Sequence, residues 1–404
     1  MSQELRNFAR CTLIAALLAG TTLDASADVI TDWNIKTGEF IVESKLGTPP
    51  AIRVMALVQT AAYEAVQASR GGASVDAAVA AAHRATLLKL LPAQQAAIEA
   101  AYQAALAAVA EGPAKSAGIV IGERAAGTTF AQRASDSIAA EAYRPHTTAG
   151  AYVPTAAPAA PTWSLRTTWQ LTSPAQFRVA PPPVLTGATW ARDYNEVKDF
   201  GAKSSTMRSA EQTEIARFWE YSLPPIYFGV ARSVAAQPGR DVTRNARLFA
   251  AVAQALDDGM VGVFDSKYHY NFWRPATAIR NGDIDGNDET ARDASWSSLI
   301  PEPMHPEYPS AHSTLAGAIG AVLKAEIGTG ATPVLATTSP TAKGATRRWT
   351  SIDDFVREVA DSRIYAGIHY RFSTDAGIAL GKSIGELTVR RVLQPGESVA
   401  RNTY

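Results

Sequence analysis

Three segments of this 404-residue chain gather cations, hydroxyls and imidazoles at spacings suited to binding and transforming an anion. The first, KYHYNFWRP, carries Lys267 and Arg274. The second, HPEYPSAHS, holds His305, Ser310, Ala311 and His312. The third, SRIYAGIH, carries Arg363 and His369. If helical, Lys267 and Arg274 lie near one face, whereas Arg363 and His369 point about 120° apart around a helix. Pro309-Ser310 before an apolar-periodic run marks a helix start, whose free N–H groups and positive dipole end favour an anion. Three fixed cations, a hydroxyl and a helix N-terminus describe a pocket for a tetrahedral oxyanion of high charge. Two histidines there divide the labour: one attacks or ligates, the other moves a proton.

The elements that must position these residues read as helices. Between 50 and 135 four helical patterns follow one another, punctuated by Gly71-Gly72, Pro92 and Gly112-Pro113. Residues 143–190 carry eight prolines and few charges, the pattern of an ordered loop wrapping a surface. Helical periodicity resumes at 209–221, 224–237, 241–264, 312–327, 351–369 and 375–393. No fixed-period repeat stands out. The fold class expected is all-α, helical bundles packed together. Residues 28–404 are taken as one helical domain: N-terminal helices about 28–140, the loop, then a catalytic region about 205–395.

Composition narrows the function. With 38 basic and 38 acidic residues the chain has no net charge, hence no electrostatic footprint for nucleic acid or an anionic membrane. Arg6 and Arg10, the run CTLIAALLAGTTL and Ala25-Ser26-Ala27 form a secretion-signal pattern over 1–27, implying a secreted or periplasmic product. That run is too short to span a bilayer. Its removal also takes Cys11, the single cysteine, and with it disulfides and thiol chemistry. Prolines 145, 154, 158 and 161 exclude a membrane helix from the uncharged stretch there.

Other features read as structural. His269 between tyrosines is expected to be a packed residue, and His83 and His146 stay outside the site. Asn281 to Arg292 begins like a calcium loop but lacks the closing glutamate, so it reads as a turn. Asp257-Asp258 and Asp353-Asp354 read as helix-surface or helix-start charges. A divalent-metal site from His305, His312, His369 and Glu307 is disfavoured by the neighbouring cations.

The three segments together resemble the signature shared by vanadium-dependent haloperoxidases and type 2 phosphatidic acid phosphatases: Lys, six residues, Arg-Pro; Pro-Ser-Gly-His; Ser-Arg, five residues, His, three residues, Asp. Spacings match at Lys267, Arg274, Pro275, Pro309, Ser310, His312, Ser362, Arg363 and His369. Two positions depart: Ala311 stands at the Gly and Ser373 at the Asp, so the carboxylate that orients the histidine must be replaced by Ser373 or by Asp375. The resemblance implies an all-helical fold and a vanadate site that phosphate also fits. His369 is then the vanadate ligand or the phosphorus nucleophile, Lys267, Arg274 and Arg363 bind equatorial oxygens, and Ser310 and the Ala311 N–H add hydrogen bonds. His312 is the acid–base group and Lys267 polarises peroxide. His305, seven before His312, sits where the haloperoxidases carry Phe or His, and His there resembles the bromide-oxidising members. The preferred function is a haloperoxidase acting on peroxide and halide. The alternatives are a soluble acid phosphatase acting on phosphate monoesters through a phosphohistidine, and a non-catalytic oxyanion-binding module. Haloperoxidases of this kind are often multimers, so an oligomer fits the resemblance.

Overall fold

A computed structural model describes residues 28–133, 136 and 147–394. The expected leader at 1–27 and His146 lie outside the described residues. Thirteen α-helices follow in order: α1 (Val29–Glu43), α2 (Thr48–Ala68), α3 (Val75–Leu90), α4 (Gln95–Ala107), α5 (Pro113–Ala131), α6 (Ala188–Gly201), α7 (Ala210–Phe218), α8 (Pro224–Ala235), α9 (Val242–Tyr270), α10 (Pro275–Arg280), α11 (Ala311–Ile327), α12 (Ile352–Tyr365) and α13 (Arg371–Thr388). The all-α expectation holds. One antiparallel hairpin, β1 (Leu335–Ser339) with β2 (Ala345–Trp349), was not foreseen and lies beside α8.

Local chemistry sets the helix ends. Side chains of Asp28, Ser74, Ser209, Asp241, Ser310 and Ser351 accept first-turn N–H groups. Prolines occupy the first turns of α2, α5, α8 and α10, where no N–H is missed. α2, α3 and α5 pack through alanines 61, 65, 78, 82, 125 and 126, so their backbones approach closely. α9, 29 residues long and buried along most of its length, is the spine against which α2, α11 and α13 pack.

Three expectations need correction. Lys267 and Arg274 do not share a helix: Asn271, in the left-handed region at φ 47°, ends α9, and Arg274 is the N-cap of α10. The pattern over 351–369 is likewise broken, because α12 stops at Tyr365 and Gly367 turns the chain at φ 78°. A Cβ at Gly367 would collide with the Gly201 carbonyl, so only glycine fits this turn. Asp257 and Asp258 are no surface charges. Both are fully buried in α9; Asp257 takes Arg53 at 2.5 Å, and Asp258 accepts the N–H groups of Trp169, Gln170 and Leu171 at 2.7, 2.7 and 3.1 Å. They tie down the proline-rich segment, which runs irregularly from 147 to 187 as expected. Asp353 and Asp354 do lie in the first turn of α12. Among the described residues, no helix is long and apolar enough to cross a membrane.

Candidate active site

The cations sit where helices stop. Lys267 occupies the last turn of α9, Arg274 precedes α10, Arg363 occupies the last turn of α12, and His369 lies between α12 and α13. Ser310 caps α11, which starts at Ala311 and carries His312 in its first turn. Helix ends leave backbone groups unpaired, and here those groups fix the cations. Lys267 Nζ donates to the carbonyls of Pro306 and Glu307 at 3.0 and 2.8 Å, leaving its third proton for a guest. Arg274 donates to the carbonyls of His305 and Ile368, each at 2.9 Å, and to His305 Nδ1 at 3.0 Å. Arg363 donates to the Trp219 carbonyl at 2.6 Å. All three cations are buried.

Ser310 Oγ receives the Ser313 hydroxyl at 3.0 Å, so its own proton remains available. Ala311 in the glycine position costs nothing in backbone strain: it is the first residue of α11 and has no positive φ. Its N–H belongs to the first turn, where the helix supplies no acceptor.

Burial pulls Lys267 well below the ordinary lysine range, with Arg274 pushing the same way and Glu307 opposing. It lowers Arg274 and brings Arg363 down to about 10. His369 falls well below its usual range through burial, then through the charges of Arg274, Lys267 and Arg363. His312 falls through burial, Arg363 and Lys267. His305 falls through burial, Lys267 and Arg274. Each histidine feels at least two of the same three cations, which means the three sequence segments converge. The Trp219 carbonyl opposes the fall at His312, whose Nε2 is buried without a partner, as is Arg363 Nε. His305 belongs to the site: its Nδ1 receives Arg274 and its ring packs 5.2 Å from Phe264. His269 does not: it is exposed, not packed inside, with its ring edge-on to Tyr270. His83 is buried far along α3, stacked on Trp33.

Sequence reasoning missed one role. The carboxylate beside His369 is neither Ser373 nor Asp375. Asp375 pairs with Arg357 at the surface. Glu307 is fully buried, with Oε1 2.6 Å from His369 Nδ1 and accepting the Tyr370 N–H at 3.2 Å; Ser373 Oγ lies 3.4 Å from the same ring nitrogen. Burial raises Glu307 to about 7, while Lys267, Arg274 and the Ser373 hydroxyl favour its ionised form. A signal existed: an acid inside the proline-bounded HPEYP loop, in a chain lacking the expected aspartate. Among the described residues no three His, Asp or Glu side chains are grouped to hold a metal cation.

Residues 247–397 match the family model of the VCPO second helical-bundle domain. The chain is 28% identical to the vanadium chloroperoxidase of Curvularia inaequalis over 37% of this chain and 29% of that protein, so it spans less than a third of that relative's length. A bacterial vanadium-dependent iodoperoxidase superposes with a TM-score of 0.74 at 23% identity, covering 90% of this chain and 96% of that one. A holo-type bacterial vanadium-dependent chloroperoxidase gives 0.70 at 18%, covering 86% and 94%. At these identities the likeness establishes a shared fold.

Proposed function

We propose, for a chain that belongs to the superfamily of vanadium-dependent haloperoxidases and type 2 phosphatidic acid phosphatases, that these residues hold vanadate and that the protein oxidises halide, bromide in particular, with hydrogen peroxide. One observation carries this reading: the three buried cations Lys267, Arg274 and Arg363 outnumber the two inward carboxylates set against them, Glu302 and Glu307, and Arg363 Nε and His312 Nε2 are left without partners. Such an excess of buried positive charge is complementary to a multiply charged oxyanion. The donor set fits vanadate. Lys267, Arg274 and Arg363 would hold its oxygens with Ser310 and the Ala311 N–H, and His369 would be its protein ligand.

The chemistry such a centre supplies when bound is Lewis-acid activation of hydrogen peroxide toward attack by halide. The rest falls to the chain's own groups. His312 is kept neutral by burial and by Arg363, and its unpartnered Nε2 would serve as a base for the proton of incoming peroxide. Lys267, anchored by two carbonyls, has one proton left that would stabilise negative charge on an oxygen of the bound anion. His305, bonded to Arg274, keeps that guanidinium in place. The leader pattern at 1–27 would direct the chain to the periplasm or the medium.

Both activities should be assayed on one preparation, with and without orthovanadate. The expected result is vanadate-dependent oxidation of bromide by peroxide. Aryl phosphate hydrolysis inhibited by vanadate, with no halide oxidation, would overturn the reading in favour of a phosphatase. Vanadate binding with neither activity would make the chain an oxyanion carrier.

A further inference from the structure

The family signature puts an aspartate four residues after the ligating histidine, one turn along the same segment. Here that position is Ser373, and no carboxylate of α13 reaches His369. The ring nitrogen is nevertheless met by a carboxylate, Glu307, which comes from the loop before α11, 62 residues away in sequence. We infer that Glu307 is the positioning residue of His369, a carboxylate moved from the helix to the HPEYP loop, which keeps Nδ1 protonated and presents Nε2 as a lone pair to the oxyanion.

The loop is built to hold it. The Glu307 N–H donates to the Phe272 carbonyl at 2.9 Å, and its own carbonyl receives Lys267. Its side chain is held at one oxygen: Oε1 is shared between His369 Nδ1 and the Tyr370 N–H. Oε1 already accepts the Tyr370 N–H, so it meets the ring as an acceptor: the proton between Oε1 and Nδ1 resides on the ring and Nε2 is bare. One group thereby serves two ends: its backbone carbonyl orients Lys267 and its side chain orients His369, placing a cation and a ligand on the same guest. Ser373 fills the space the aspartate would take. Its backbone carbonyl receives the Ser310 N–H at 3.1 Å, tying the start of α13 to the cap of α11.

This assignment rests on the oxyanion reading above, and the test separates the two. In the protein labelled with 15N-histidine, without added anion, His369 is expected to show a protonated Nδ1 and an unprotonated Nε2. The reverse tautomer would overturn the assignment whether or not vanadate binds. Calorimetry then compares orthovanadate with phosphate. Glu307→Gln should weaken vanadate, which needs the lone pair, by about 10- to 100-fold, and phosphate, held by charge and hydrogen bonds, by about 3-fold or less. Moving the carboxylate back in Glu307→Ala/Ser373→Asp should recover most of the vanadate affinity that Glu307→Ala loses. Unchanged vanadate affinity in Glu307→Gln, equal losses for both anions, or no recovery in the exchange would each overturn the positioning role. A wild-type chain that binds no vanadate would overturn the function reading, leaving the tautomer to decide this one.

Discussion

Two buried charge clusters lie along α9, about three turns apart, and they behave in opposite ways. Around Asp257 the charges answer one another. Arg53 pairs with Asp257 and Asp136 and donates to the Thr167 carbonyl, Trp169 Nε1 reaches Asp257 at 2.6 Å, and Asp258 caps the loop. Around Lys267 the carboxylates of Glu302 and Glu307 stand against three cations and leave a positive surplus. Burial lowers the pKa of every cation in both places, yet Arg53 ends above its ordinary value because Asp257 and Asp136 outweigh desolvation. Lys267, Arg274 and Arg363 all end below theirs. The same burial thus separates a structural cluster from a functional one by whether counter-charge is built in. Each cluster keeps buried atoms without partners, Asp257 Oδ1 and Arg53 Nε in one and Arg363 Nε in the other, so what separates them is the sign of the surplus: carboxylates that fix a loop in the first, cations that suit an anion in the second.

The largest effect should come from the open cluster. His369→Ala is expected to lower vanadate-dependent bromide oxidation by at least about 10³-fold while leaving the Asp257 cluster and the segment it holds in place. Retained turnover would end the distinction. The converse variant is Arg53→Ala, which strands Asp257 and Asp136 without their cation. It should cost about 3–5 kcal/mol in urea unfolding and leave the vanadate affinity of the folded protein unaltered. A loss below about 1 kcal/mol would show that the closed cluster is not held by its charges.

These two clusters also differ in how legible they were. Lys267, Arg274, Ser310, His312, Arg363 and His369 were readable because each sits in a short segment with fixed spacing, and helical periodicity gave most of the helices that carry them. Their placement was not readable: helix periodicity continues across 351–369, and only the turn at Gly367 separates Arg363 from His369. Asp257 and Asp258 misled because an acid pair in a helix looks the same whether it faces water or an arginine 204 residues earlier. Glu307 was visible as a residue but not as a partner, since the pairing depends on loop geometry that no local pattern encodes.

A smaller effect tests the scaffold of the open cluster. Gly377, Gly381 and Gly385 lie one turn apart on α13 against the backbone of α11, where a Cβ would collide with the carbonyls of Ser310, Thr314 and Ala318. That close approach holds the Ser310 cap beside His369. Gly381→Ala should force the helices apart and cost about 1–3 kcal/mol by thermal unfolding, with a further loss of vanadate affinity. The same substitution at Gly127, where a Cβ meets open space, should cost far less. Similar costs at both would mean that the close approach is not what places the cap.

The smallest effect carries the most distinctive sign. Lys267 in the folded chain has its pKa held well below 10.5 by burial and by Arg274, whereas the unfolded chain titrates normally. Between those two values the unfolded state binds more protons, so anion-free stability rises with pH across that window; below it the full penalty stands. Removing the charge removes the penalty. Lys267→Met should therefore stabilise the anion-free protein by about 0.5–2 kcal/mol at neutral pH and flatten the rise toward alkaline pH. Phosphate should reverse the order, because the wild type gains RT ln(1 + [L]/Kd) from an anion that the variant binds less tightly. Arg53→Met, with its counter-charges left behind, should destabilise under both conditions. A Lys267→Met protein that melts lower than wild type without anion would mean that Lys267 is already compensated, and the contrast between the clusters would be lost.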